Sequence, residues 1–135
     1  MTNLTSDNGA VLFAHDELAS PDTGKVGLAA GFAGRLKDLR QAFGEPMVVT
    51  SACRSRVYNE QIGGHPRSLH VYDQPHHDVS GCAAIDVLTT DSTYRARLVA
   101  TALDFGWSVG IGDGFVHLDR RDLGDVGPQV LFTYY

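Results

Sequence analysis

A chain of 135 residues is long enough for one domain around one core, and residues 1–135 are expected to fold as a single unit. Its 43% apolar and 20% charged residues are ordinary for a globular protein, and fifteen glycines point to many turns. A net charge of -5 argues against broad phosphate-backbone binding, and no run approaches the roughly 18 apolar residues of a membrane span, so neither nucleic acid nor membrane is an expected partner.

The first eight residues, Met1 to Asn8, hold no basic region leading into a long apolar one. The chain therefore reads as made in the cytoplasm without an export signal of its own. Residues 1–26 are polar, broken by Gly9, Pro21 and Gly24, with one short apolar patch at Val11 to Ala14. They are expected to form an irregular arm or packing segment. From Leu28 onward, Leu28, Phe32, Leu36, Leu39 and Phe43 recur at helical spacing, and Gly44 supplies the stop.

After Pro46 the β-branched run Met47 to Thr50 reads as a strand, left by Ser51-Ala52-Cys53-Arg54-Ser55. Arg54 sits at that strand end, where its guanidinium either clamps a carboxylate bidentately or ties down the following loop. Residues 57–62 suit one or two helical turns, ended by Gly63-Gly64. The stretch from His65 to Gly81 has two prolines and little periodicity, and a loop of that length in a small domain is usually functional or mobile. Cys53 and Cys82 are too few for a disulfide framework and lack a Cys-x-x-Cys spacing. They read as small buried hydrophobes, with a disulfide or a metal role as alternatives.

Residues 82–88 alternate as a strand, with Cys82, Ala84, Asp86 and Leu88 on one face and Ala83, Ile85 and Val87 on the other. Asp91 or Ser92 can cap a helix over residues 93–105, with Tyr94, Leu98, Ala102 and Phe105 as its stripe. Residues 107–111 and 115–119 read as two strands of a hairpin turning through Gly112-Asp113-Gly114. On the second of these, Phe115, His117 and Asp119 share a face. A polar loop follows, and residues 130–134 read as a last strand at a sheet edge. Helices alternating with strands that include a hairpin suggest an α+β fold: a small antiparallel sheet with flanking helices.

Asp86 lies in the apolar run Ala83 to Leu88 and His117 in the run Gly114 to Asp119. A carboxylate buried without a partner costs several kcal/mol, so it needs a metal, a cation or hydrogen bonds. Two imidazoles and one carboxylate, with a fourth position open, form the ligand set of a hydrolytic zinc site. His70, Asp86 and His117 are the candidate set. His76 and His77, beside Asp78, are equally able to coordinate on local pattern alone.

Six motifs in order carry a resemblance. Ser51-Ala52-Cys53-Arg54-Ser55, Tyr58-Asn59, Gly63-Gly64, Ser68-Leu69-His70, Ala84-Ile85-Asp86 and Phe115-Val116-His117-Leu118-Asp119 together resemble the zinc D-Ala-D-Ala carboxypeptidase and L-alanyl-D-glutamate endopeptidase family. That family shares its fold with the amino-terminal signalling domain of Hedgehog proteins and includes bacteriophage endolysins.

The resemblance implies one zinc ion held by His70, Asp86 and His117, with Arg54 holding substrate or the developing oxyanion. Ser68 would support by hydrogen bonding, and Asp119 would orient a ligand. The implied substrate is the stem peptide of bacterial peptidoglycan, and the implied setting is a phage or prophage product. Such a protein would reach the cell wall after holin release or act as a virion component. Two departures stand out. His70 and Asp86 are farther apart than the family commonly has them, and the insertion brings His77 as an alternative ligand. Gly114 stands where many relatives carry an acid, which leaves Asp113 as the candidate general base. Without a base the chain would be a zinc-stabilised binding or structural module of a phage particle.

Overall fold

The computed structural model describes residues 2–75 and 80–134; His76, His77 and Asp78 lie outside the described residues. In chain order the elements are β1 (Leu4–Thr5), β2 (Val11–Phe13), α1 (His15–Leu18), α2 (Phe32–Phe43), β3 (Val49–Ser51) and α3 (Arg56–Gln61). Then come β4 (Ala84–Leu88), α4 (Ser92–Asp104), β5 (Ser108–Ile111), β6 (Phe115–Asp119), a 3-10 turn at Arg121–Gly124, and β7 (Leu131–Thr133). Five strands make the main sheet in the order β3-β4-β6-β5-β7, and β1 and β2 pair separately. This is an α+β fold on a small, largely antiparallel sheet. β7 forms one edge of the sheet and pairs parallel with β5.

The two apolar runs singled out in the sequence are neighbours at the centre of that sheet. β4 and β6 pair antiparallel with Ile85 opposite Leu118, Asp86 opposite His117 and Val87 opposite Val116. Because alternate side chains leave opposite faces of a strand, Ile85, Val87, Val116, Leu118 and Val109 belong to one face and Asp86 and His117 to the other. The first set is fully buried in the core with Leu36 and Leu39 of α2 and Leu98 and Ala102 of α4. Helix α2 begins at Phe32 rather than Leu28. Gly31 takes a left-handed conformation at its start, and Leu28 instead bridges Cys82. Helix α4 is capped as its sequence suggests, the Asp91 carboxylate accepting from the Tyr94 amide at 2.9 Å.

The amino-terminal segment, expected as an arm or an irregular packing segment, packs on the core and is more regular than that. It forms the β1–β2 pair and α1, and it buries Leu4, Phe13 and Leu18 against the core. Its apolar residues are too few and too separated for any periodicity to mark them. The segment also fixes the loop that carries Arg54. The Cys53 amide donates to the Leu18 carbonyl at 3.0 Å, the Ser55 amide to Ser20 Oγ at 3.0 Å, and Ser55 Oγ to Asp22 at 2.6 Å.

Candidate metal centre

A row of residues runs in register across the polar face of the sheet. Ser51 lies opposite Asp86, Asp86 opposite His117, His117 opposite Gly110, and Gly110 opposite Phe132. His70 reaches this row from the loop after α3. The segment 69–72 is pinned between two others, with Arg54 N donating to His70 O at 2.8 Å, Tyr72 N to Arg54 O at 3.0 Å and Ala83 N to Leu69 O at 2.8 Å. Ser68 acts on the backbone here, its hydroxyl accepting from the His70 amide at 3.2 Å.

The donor atoms of His70, Asp86 and His117 converge within 4.8 Å of one another. All three residues are buried, with 2%, 8% and 7% exposure respectively. His70 Nδ1 lies 2.7 Å from the Ala52 carbonyl, which can only accept, so that nitrogen carries the proton. His117 Nε2 lies 2.8 Å from Asp119 Oδ2 and is protonated for the same reason. The inward nitrogens, His70 Nε2 and His117 Nδ1, then face Asp86 Oδ1 at 3.1 and 3.0 Å. In neutral rings these are two lone pairs meeting a carboxylate oxygen, an arrangement that repels itself unless a cation joins it. Two imidazole nitrogens and one carboxylate oxygen suit zinc, and the outer hydrogen bonds are those that orient a metal-ligating histidine.

Burial opposes charge on His117, but the carboxylates of Asp119 and Asp86, accepting from its ring, outweigh it and push its pKa up. His70 moves the other way: full burial lowers it, and Asp86 only partly offsets that. Burial would raise Asp86, yet the two imidazoles beside it, His117 first, hold it well below the usual carboxylate range. Asp119 is likewise lowered against the effect of burial, by His117 and by Arg121. The Arg121 guanidinium grips Asp119 through Nε at 3.0 Å and a terminal nitrogen at 2.8 Å.

Arg54 stands on the other side of Asp86. Its three nitrogens reach Ser51 Oγ at 2.9 Å, Asn59 Oδ1 at 3.2 Å and Asp86 Oδ2 at 3.4 Å. Asn59 is itself fixed by donating to the His65 carbonyl at 3.0 Å. Gly64 is required beside it, since a Cβ there would come within 2.1 Å of Asn59 Oδ1. These groups open onto a cleft of about 660 Å³ that is also lined by Arg121, Phe115, Phe132 and Tyr134. Partial desolvation of the ring and the Asp86 charge push the Tyr134 phenol up to about 12.

Asp113 is not brought to this cleft. It is exposed at the β5–β6 turn and lines a separate hollow with Arg95 and Ile111. The hairpin explains the placement: Gly112 N donates to Phe115 O at 3.0 Å, so Asp113 lies beyond the end of the paired strands, while His117 sits in their middle. Among the described residues lining the cleft, the carboxylates are Asp86 and Asp119, and both are engaged. Arg121, Phe132 and Tyr134 were not singled out from sequence. Their signal was faint: Phe132 and Tyr134 share one face of the last strand, and Arg121 follows Asp119 by two positions.

A sheet of this topology with a buried His-Asp-His group at its centre is consistent with a metallopeptidase. The family model for peptidase M15 matches residues 10–119, a span that includes His70, Asp86 and His117, and the chain belongs to that family of metallopeptidases. A search of curated proteins found no match. Among the described residues, no helix is long and apolar enough to cross a membrane.

A carboxyl whose pKa is depressed in the fold contributes stability that is present above its unfolded value and lost as pH falls toward the folded one. Asp86 and Asp119 are both depressed. The metal-free protein should therefore lose stability as pH drops below about 4, where unfolded carboxyls begin to protonate. Urea denaturation across that range checks it, and Asp86→Asn should flatten the slope; an equally steep slope in the variant would contradict the assignment.

Proposed function

We propose that the protein is a zinc-dependent peptidase that hydrolyses stem peptides of bacterial peptidoglycan, as a D-Ala-D-Ala carboxypeptidase or an L-Ala-D-Glu endopeptidase. The observation that carries the proposal is the inward convergence of His70 Nε2, Asp86 Oδ1 and His117 Nδ1, with both outer N–H groups fixed by acceptors. A divalent ion held there would polarise a carbonyl and bring the pKa of water toward about 7. Asp119 would hold the His117 ring in register, and Ser68 would shape the turn that delivers His70. Arg54, anchored by Ser51 and Asn59, would meet a substrate carboxylate or the charge that develops on the scissile oxygen.

The resemblance in the motifs supports the wall peptide as substrate and a phage or prophage origin, with action at the wall after holin release or from a virion. The place of Asp113 at the hairpin turn, lining a different hollow, speaks against its part as general base. The lack of an unengaged carboxylate in the cleft, among the described residues, is the one observation that favours the alternative of a zinc-stabilised module without turnover.

Mass spectrometry of purified peptidoglycan, digested with zinc-loaded protein beside a chelated control, tests the proposal. Zinc-dependent fragments are expected, and their masses name the bond; protein that holds one zinc and releases no fragments would favour the module. In the same assay Asp113→Ala should cleave within about twofold of the parent. A loss of a hundredfold or so, the scale of a missing general base, would restore Asp113 to the mechanism.

A further inference from the structure

Gly110 is the gap in the row that crosses the sheet. It lies between His117 on one side and Phe132 on the other. A Cβ built on Gly110 would stand 2.6 Å from Phe132 Cε2, closer than real carbon atoms approach, and 3.0 Å from Tyr134 Cε2, a tight contact. Two aromatic rings therefore occupy the space a side chain would fill. Phe132 packs 5.9 Å from the His117 ring, and Tyr134 meets that ring edge-on at 6.3 Å. Tyr134 is held further by Phe115 at 5.2 Å and Phe132 at 5.5 Å, and its amide donates to Ile111 O at 3.1 Å. The Arg121 guanidinium covers Phe132 from 5.8 Å.

This packing is costly to explain as core. Tyr134 is 55% exposed, and its hydroxyl makes no hydrogen bond to another described residue. The ring lines the cleft beside His117. Among the described residues lining the cleft, the other hydroxyl is that of Ser68, whose oxygen accepts from the His70 amide. Tyr134 thus supplies a neutral donor on the side of the cleft away from Arg54.

We infer that Tyr134 belongs to the reaction centre: its phenol donates a hydrogen bond to the carbonyl oxygen of the scissile peptide as the carbonyl carbon becomes tetrahedral, and Gly110 is the positioning residue that lets it do so. The inference rests on the peptidase reading. In that step the oxygen of water bonds to the carbonyl carbon and the carbonyl π pair moves onto oxygen. The C–N bond then breaks, and the departing amine takes the proton that water releases. Tyr134 keeps its own proton throughout and acts by placing a donor where charge develops, a contribution that grows toward the transition state.

Tyr134→Phe removes the hydroxyl and leaves the ring, so its packing and the zinc affinity should match the parent by calorimetry. On the peptide bond that the parent cuts, kcat should fall at least about tenfold with KM changed by less than about twofold. Affinity for a phosphinate pseudodipeptide built on that bond, whose tetrahedral oxygens mimic the adduct, should fall by a similar factor. Gly110→Ala should reproduce the kinetic loss by displacing the rings. If Tyr134→Phe keeps both the parent kcat and the parent phosphinate affinity, the inference is wrong while the peptidase reading stands. A parent protein that holds zinc yet neither cuts peptide nor binds the phosphinate would overturn both.

Discussion

The inward orientation of two imidazole nitrogens onto one carboxylate oxygen is the constraint around which this molecule is arranged. Neither ring is free to turn. The Ala52 carbonyl takes the outer proton of His70 and Asp119 takes that of His117, so the inner nitrogens must face Asp86. Each acceptor is in turn held. Ala52 lies in the segment stapled by α1 and the residues just after it, and Asp119 is gripped by Arg121. A group of acceptors that would repel one another in isolation is kept together by these outer contacts, which is how a binding site for a cation is preorganised.

Sheet register converts that constraint into a cleft. Asp86 and His117 are cross-strand partners, so their side chains leave the same face side by side. The row extends outward on both sides, to Ser51 and its Arg54 in one direction and to Gly110 and its aromatic neighbours in the other. Polar donors and apolar surface thus flank the same point, while the opposite phase of the same strands is buried against α2 and α4. Function and stability use alternate residues of β4 and β6.

Much of this was legible where the signal is local. The α2 stripe, the Asp91 cap, the β5–β6 hairpin and the alternation of β4 depend on residues within a few positions of one another, and spacing reveals them. The amino-terminal pair was not legible, because Leu4, Phe13 and Leu18 become a core only through long-range packing. Asp113 was the carboxylate next to Gly114, the position where relatives carry an acid, but a hairpin turn carries its tip away from the strand middle. Local pattern also left His76 and His77 level with His70. Motif order favoured His70, and the backbone pairing of Arg54 with the segment 70–72 shows how it reaches the sheet. The aromatic wall over Gly110 left almost no trace in sequence, since it arises from a parallel pairing at the sheet edge.

Crystals grown with zinc and measured at the zinc absorption edge would test the central claim most directly. The account predicts one anomalous peak at about 2.0 to 2.2 Å from His70 Nε2, Asp86 Oδ1 and His117 Nδ1, the range for nitrogen and carboxylate ligands. The contacts to Ala52 and Asp119 should persist. A peak centred elsewhere, or an ion bound through His117 Nε2 with the Asp119 contact broken, would contradict it.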